Sequence, residues 1–208
     1  MEKKDTRGRI LEVSRELFAR KGFAGVSVDE ISERVGIKKA SIYHHFESKQ
    51  QIYEALIQIG LSELLELFKK SYSDKGIIEG TKKFFEDSID FAANNQDYAK
   101  MLVREVLDEN LPIRQFVKTY LPKLIKEGEA IVRQGQKAGI FRKGIDIIQL
   151  SISLTGLVLT YFVFSPLIEP LLGEDVTSPQ AIEKRKKAIV DLVFFGLLTD
   201  KARAQIPS

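Results

Sequence analysis

Apolar residues recur along almost the whole chain at steps of three and four, and no convincing stretch alternates apolar with polar positions as a strand would. The pattern predicts an all-α protein. Helix one is expected from about Asp5 to Lys21, with Ile10, Val13, Leu17 and Phe18 facing inward and Gly22 ending it. The segment from Ser27 to Lys49 is the most informative. Ser27 and Glu30 have the S-x-x-E spacing of a capping box, in which each side chain satisfies an orphan backbone N–H at a helix start. Val26 and Ile31 stand at N′ and N4, where they can staple that start. Val28, Ile31 and Val35 share one face, and Gly36 suits the left-handed position after a helix. A second helix is expected from about Lys38 to Phe46, with Ile42 and Phe46 on its inner face. Ser48 and Gln51 form a second box that opens another helix. A short helix, a glycine turn and a helix with Lys, Ser, Tyr and His outward is the layout of a helix-turn-helix DNA reader.

The fourth helix, from Ser48 to about Lys70, is longer than a three-helix reader needs and is expected to bridge into a second body after a break at residues 73–76. Further helices are expected over 81–94, 95–108 and from Pro112 to about Lys137, the last kinked by Pro122 and ended at Ala138–Gly139. A strongly apolar helix follows over 146–164, stopped near Pro166 and Pro170. A loop covers 173–179, and a last helix runs from about Pro179 to Thr199. Residues 1–50 are assigned to a three-helix reading domain and 51–208 to a larger helical domain.

Residues 147–168 hold no charged side chain over 22 positions, which meets the length criterion for a membrane span. Gln149, Ser151, Ser153, Thr155, Thr160, Ser165 and Pro166 argue against one. A helix apolar all round is also explained by burial on all sides. The last helix has the same character through Ile189, Leu192, Val193, Phe194, Phe195 and Leu197. Two such helices from each of two subunits would make a four-helix interface, so a homodimer is expected and a membrane location is not.

Composition narrows the chemistry. With 208 residues, 44% of them hydrophobic, the chain can bury a real core. It has no Cys, which removes disulfides and thiolate metal sites and fits a reducing compartment. Its two His, His44 and His45, both lie in the expected reading helix, so a His-rich metal site or a triad using His elsewhere is excluded. Acidic pairs such as Glu105 and Asp108 are explained by a solvated face. No catalytic residue, metal or cofactor is assigned. The net charge of +3 is small, but from Arg34 to Lys49 there are four basic residues and one acid, Glu47. The N-terminal arm adds Lys3, Lys4, Arg7 and Arg9 against Glu2 and Asp5. This is a local basic patch on a nearly neutral protein. The charged N-terminus has no apolar signal-peptide core, and a cytoplasmic location is expected.

These residues resemble the TetR family of bacterial transcriptional regulators. The matching features are Gly22-Phe23 after helix one, Ser27, Gly36, and the run Tyr43-His44-His45-Phe46-Glu47-Ser48-Lys49. That signature covers about the first quarter of the chain; the rest matches in helix number and length and in the closing run from Leu192 to Leu197. The resemblance implies a small DNA-binding domain on a larger helical domain that binds an inducer and forms the dimer. It also implies site residues. Tyr43 would touch a base or the sugar-phosphate backbone. His45 and Lys49 would contact phosphate, and Ser27 and Ser41 could donate hydroxyls to it. Lys39 and Ala40 would face base edges, Lys toward guanine and the Ala methyl toward a thymine methyl. Lys38 is as readily a solvated side chain as a contact, and His44 is open between a contact and an exposed neutral ring.

The second body is rich in aromatic residues: Phe84, Phe85, Phe91, Tyr98, Phe116, Tyr120, Phe141, Tyr161 and Phe162. As a group they suggest an apolar cavity with few polar anchors, the usual form of a small-molecule site. Arg104, Tyr120, Thr155 and Tyr161 are the candidate ligand-binding residues. Acids are sparse in the apolar helix, so a neutral or anionic apolar inducer is expected over a cationic one. The leading reading is a ligand-responsive dimeric repressor of a palindromic double-stranded DNA operator. The alternative is a DNA-binding protein of the same fold without small-molecule control. A helical enzyme is the weakest class.

Overall fold

Eleven helices form among the described residues of the computed structural model, and no strand does. They are α1 (Thr6–Lys21), α2 (Val28–Val35), α3 (Lys39–Tyr43), α4 (Lys49–Tyr72), α5 (Ile77–Asn94), α6 (Gln96–Leu107), α7 (Ile113–Lys137), α8 (Ile147–Val163), α9 (Ser165–Leu172), α10 (Pro179–Leu197) and α11 (Asp200–Arg203). The structure describes residues 6–107 and 113–204, without the side chains of residues 102, 105–107, 113–117, 119 and 120. The arm residues Glu2, Lys3, Lys4 and Asp5 therefore lie outside it, as do Asp108, Pro112 and the side chains of Glu105, Phe116 and Tyr120.

The chain divides into two compact units: residues 1–62 with 95–119, and residues 63–94 with 120–208. In the first unit, α1 packs on α2 and α6. Ile10, Leu17 and Phe18 of α1 are buried as their spacing predicts. They meet a core that holds Ile31, Ile42, Phe46, Ile52 and Tyr53. Full burial of such side chains stabilises by ~1.5–3 kcal/mol each. Phe18 and Phe23 both meet the Tyr53 ring edge-on, with centroids 5.1 and 5.2 Å away.

In the second unit, α5 packs on α8 and α10, around Phe85, Ile89, Phe141, Phe162, Ile189 and Val193. α5 starts four residues earlier than expected, because Glu79 falls in its first turn and the Gly80 amide already donates to the Gly76 carbonyl (2.8 Å). Asp146 caps α8 by accepting from the Ile148 and Gln149 amides at 2.9 and 3.1 Å. Gly139 takes φ 69° at the end of α7. The chain then pairs Phe141 with Leu198 in one isolated antiparallel bridge.

Two helices were not expected. The sequence predicts a stop near Pro166, but this residue stands in the first turn of α9, where its missing N–H has no helical partner to lose. α11 is a single turn capped by Thr199, whose hydroxyl accepts from the Ala202 amide (3.2 Å). The 22-residue apolar run is therefore not one helix. It breaks at Phe164, and α8 and α9 are bent by 74°. Among the described residues no single helix is long and apolar enough to cross a membrane.

Candidate nucleic-acid interface

The reading face is assembled by local hydrogen bonds that the sequence encodes. Ser27 Oγ accepts from the Glu30 amide (3.1 Å) and fixes the start of α2. The reciprocal half of the box is absent: the Glu30 carboxylate pairs with Lys21 at the end of α1. Gly36 ends α2 at φ 76°, and its amide donates to the Ser32 and Glu33 carbonyls. Arg9 of α1 donates to the Val35 carbonyl, and Arg34 pairs with Glu16 (2.6 Å), so α1 is tied twice to the last turn of α2. The second box closes one residue early. The Gln51 amide donates to Ser48 Oγ (3.2 Å), while Gln51 Oε1 accepts from the amide of Glu47 (2.7 Å).

α3 spans only Lys39–Tyr43, shorter than the expected 38–46, because the chain turns at His44 and His45, and these ties leave the helix and the turn after it sharply sided. Ile42 and Phe46 are buried at 1% and 2% exposure, which fixes which face turns outward. Lys38, Lys39, Ala40, His44 and His45 are exposed, Tyr43 is 48% exposed, Ser41 is half-buried and Ser27 is exposed. Tyr43 is thus not a core aromatic. Lys38 makes no ion pair among the described residues, so its ammonium is available to an anion. Lys39 is held by Asp29 of α2, with Nζ 2.8 Å from Oδ2. That hydrogen bond, donated to Asp29, raises the Lys39 ammonium above its ordinary value, with desolvation opposing it. Asp29 was not foreseen at this face; a carboxylate in the first turn of α2 reads equally as a helix-dipole partner. Arg7 stacks over the buried Phe46 ring, its Cζ 5.0 Å from the centroid.

Lys49 has a different setting from the other basic residues. It is half-buried, and Nζ donates to the carbonyls of Phe23 and Val26, both at 2.7 Å. Nζ also lies 4.3 Å from the Phe23 ring centroid. Burial lowers this ammonium below its ordinary value. Two of its three N–H donors are committed to the α1–α2 connection, and one remains for a phosphate.

The ligand-binding candidates are distributed. Arg104 is exposed and belongs to the first unit. Thr155 is exposed on α8, and Tyr161 is buried on the same helix in the second unit. The side chain of Tyr120 lies outside the described residues.

Known proteins match this arrangement over most of the chain. Residues 10–56 match the family model of bacterial regulatory proteins of the tetR family. Residues 78–193 match that of the tetracyclin repressor-like C-terminal domain. The chain is 29% identical over 138 residues to the "Probable HTH-type transcriptional regulator YttP" of Bacillus subtilis, covering 65% of this chain and 67% of that one. It is 32% identical over 76 residues to the biofilm operon icaADBC HTH-type negative transcriptional regulator IcaR of Staphylococcus epidermidis, covering 36% of this chain and 41% of the relative. Among solved structures, the transcriptional regulator FadR from Bacillus subtilis in complex with stearoyl-CoA superposes with a TM-score of 0.72 at 17% identity, covering 90% of this chain and 97% of that one. AibR in complex with isovaleryl coenzyme A and operator DNA superposes with a TM-score of 0.71 at 19% identity, over 91% and 98% of the two chains. Members of this family are transcription regulators and not enzymes. With both family models matched in chain order and the second alone covering more than half of its residues, the chain belongs to the TetR family of bacterial transcriptional regulators.

Proposed function

We propose that this regulator is a dimeric, ligand-responsive repressor that binds a palindromic operator and is released by a small apolar inducer. The observation that carries the DNA part is the sidedness of α3 and the residues that flank it: Ile42 and Phe46 are buried, while Lys38, Lys39, Ala40, Tyr43, His44 and His45 turn to solvent. Ammonium, imidazole, phenol and hydroxyl groups on one exposed helix face suit phosphate and base-edge contact. In this reading Lys39 and Ala40 meet base edges, and Tyr43 meets a base or the backbone. Ser27, Ser41, His45 and the third donor of Lys49 meet phosphates, with Lys38 and His44 flanking them. The relative named as a negative regulator motivates repression over activation.

Dimerisation is supported by apolar side chains left uncovered on the second unit. Ile148 and Ile152 of α8 are 52% and 61% exposed, and Leu192 and Phe195 of α10 are 55% and 68% exposed. Large apolar residues left exposed on two long helices are of the kind that marks an interaction site. A second copy pairing α8 and α10 against their equivalents would cover them.

Residues 1–50 then act as the reading head, and 51–208 as the ligand-binding and dimerisation body. The chain passes between them within α4, so a ligand that shifts α4 would change the spacing of two reading helices and release DNA. The effect is limited by the ligand's differential affinity for the two conformations. Acyl compounds are the first candidates to test, because two proteins of this fold were crystallised with acyl-coenzyme A ligands. The experiment is operator release followed by gel shift, with acyl, aromatic and cationic compounds, alongside Tyr43→Ala. Release by acyl or aromatic compounds and loss of binding in Tyr43→Ala are expected. Release by cationic compounds alone contradicts the apolar inducer, and full binding by Tyr43→Ala contradicts the interface.

A further inference from the structure

Arg185 is a half-buried cation beside the core of the second unit, and it has no counter-ion among the described residues. It lies on α10, between the buried Ile182 and Ile189, and its Nη2 donates to the Leu157 carbonyl of α8 at 2.6 Å. Its Cζ lies 4.8 Å from the centroid of the buried Tyr161 ring. Nε is buried and has no hydrogen-bond partner among the described residues. Among the described residues no carboxylate pairs with the guanidinium either. Of the acids near Tyr161, Glu174 is engaged by Lys184 (2.7 Å) and the Ser178 hydroxyl (3.0 Å), and Glu169 accepts from the Val176 amide at 3.5 Å.

This is an incomplete arrangement. Nε–H and one N–H of Nη2 form one edge of a planar fork whose spacing matches the two oxygens of a carboxylate or phosphate. Here that edge is offered one carbonyl oxygen, which already accepts within the α8 ladder. A buried donor left unmet is costly, and the buried Nε is such a donor. Burial pulls the guanidinium below its ordinary value, but arginine stays charged in proteins. The surroundings are apolar and aromatic, with Tyr161, Phe162, Ile182 and Ile189 in one buried cluster.

We propose that Arg185 is the anchor for the oxyanion of an amphiphilic ligand, a carboxylate or phosphate attached to an apolar body, with Tyr161 as its neighbour. This rests on the ligand-responsive reading above and narrows it from apolar to anionic. The oxyanion takes both Nε and Nη2, and the guanidinium lets go of the Leu157 carbonyl. Binding therefore exchanges an α8–α10 tie for a ligand contact, within the helices proposed to pair in the dimer.

The test is calorimetric titration of the DNA-free protein with dodecanoate, dodecanoyl-coenzyme A, dodecanol and dodecyltrimethylammonium. Wild type should bind at least one oxyanion probe roughly tenfold or more tighter than the alcohol, the order expected for one charge-assisted fork. Arg185→Met should lose that preference, and Arg185→Lys should keep part of it. Lys187→Met, an exposed cation on the same helix, should behave as wild type. If Arg185→Met does not fold, the preference lost or kept in Arg185→Lys and the wild-type order of probes decide. Loss confined to dodecanoate identifies a free carboxylate, and loss confined to the thioester identifies a phosphate of the carrier. An undiminished preference in Arg185→Met overturns the assignment, as does a wild type that binds neither oxyanion. If the alcohol or the ammonium binds in that case, the ligand-responsive reading survives without Arg185.

Discussion

Replacing Lys49 by Met separates a latch from a phosphate contact. Met keeps the length and apolar stem of the side chain and removes the ammonium. The wild-type ammonium makes two hydrogen bonds of 2.7 Å, to the Phe23 and Val26 carbonyls, and lies over the Phe23 ring. Hydrogen bonds to a charged group stabilise by about 1.5–3 kcal/mol each. Lys49 is half-buried and the freed carbonyls can take water, so the low end applies and part of it is recovered. A net loss of about 2 kcal/mol follows, with a cation–π contribution of about 0.5–1 kcal/mol included. The loss is local, to the turn that presents Ser27 and starts α2. Amide hydrogen exchange over residues 22–31 should accelerate by roughly 30-fold, as about 2 kcal/mol implies. Gel shifts at several salt concentrations give the second reading. A pure latch weakens operator binding and leaves the salt slope unchanged. A third N–H on phosphate adds a loss of about 0.9 in that slope. Unchanged exchange over residues 22–31 in Lys49→Met would refute the latch.

Four further substitutions test the dimer face, the packing of the second unit and its alkaline stability. Leu192→Glu or Phe195→Glu should convert a dimer to monomers or aggregate and abolish tight operator binding, read by sedimentation; a wild type that is monomeric at micromolar concentration yet tight on DNA refutes the interface. Gly135→Ala places a Cβ 2.3 Å from the buried Phe141 ring, so it should destabilise the second unit by about 1–3 kcal/mol in thermal melts, and an unchanged melt contradicts that close packing. Tyr72 is pushed up to about 12 by burial, against a hydrogen bond to Thr81 that opposes the shift. A folded-state value above the unfolded one gives stability that is full below pH 10 and lost as the pH rises toward 12. Tyr72→Phe should flatten that alkaline loss in melts taken from pH 9 to 12, and an identical profile in wild type and variant contradicts it.

The reading head was legible because its signals are local. Ser27, Gly36 and Ser48 announce caps and a turn within a few residues, and each takes the predicted role. What the sequence could not assign was where long side chains go. Glu30 and Lys49 each have a conventional local reading, but both make their contacts across the α1–α2 connection, 9 and 23–26 residues away. Their partners are backbone carbonyls or another helix, which leave no pattern in spacing. α9 was missed for another reason. Pro166 and Pro170 stand four apart, and a proline signals a break or a first turn with equal force until the bend at Phe164 is known. Arg185 was hidden by its neighbours: Lys184, Lys186 and Lys187 make it look like one member of a solvated basic stretch.

The central claim is that this chain reads a two-fold symmetric DNA sequence through the outer face of α3. The most direct measurement is selection of bound sequences from random double-stranded DNA by the purified full-length protein. The expected product is an inverted repeat whose half-sites are centred about one helical turn apart, ~34–36 Å, or a small multiple of that. Tyr43→Ala, selected in parallel, is expected not to enrich that repeat. Enrichment of no sequence, of a single unpaired half-site, or of the same repeat by Tyr43→Ala would contradict the claim.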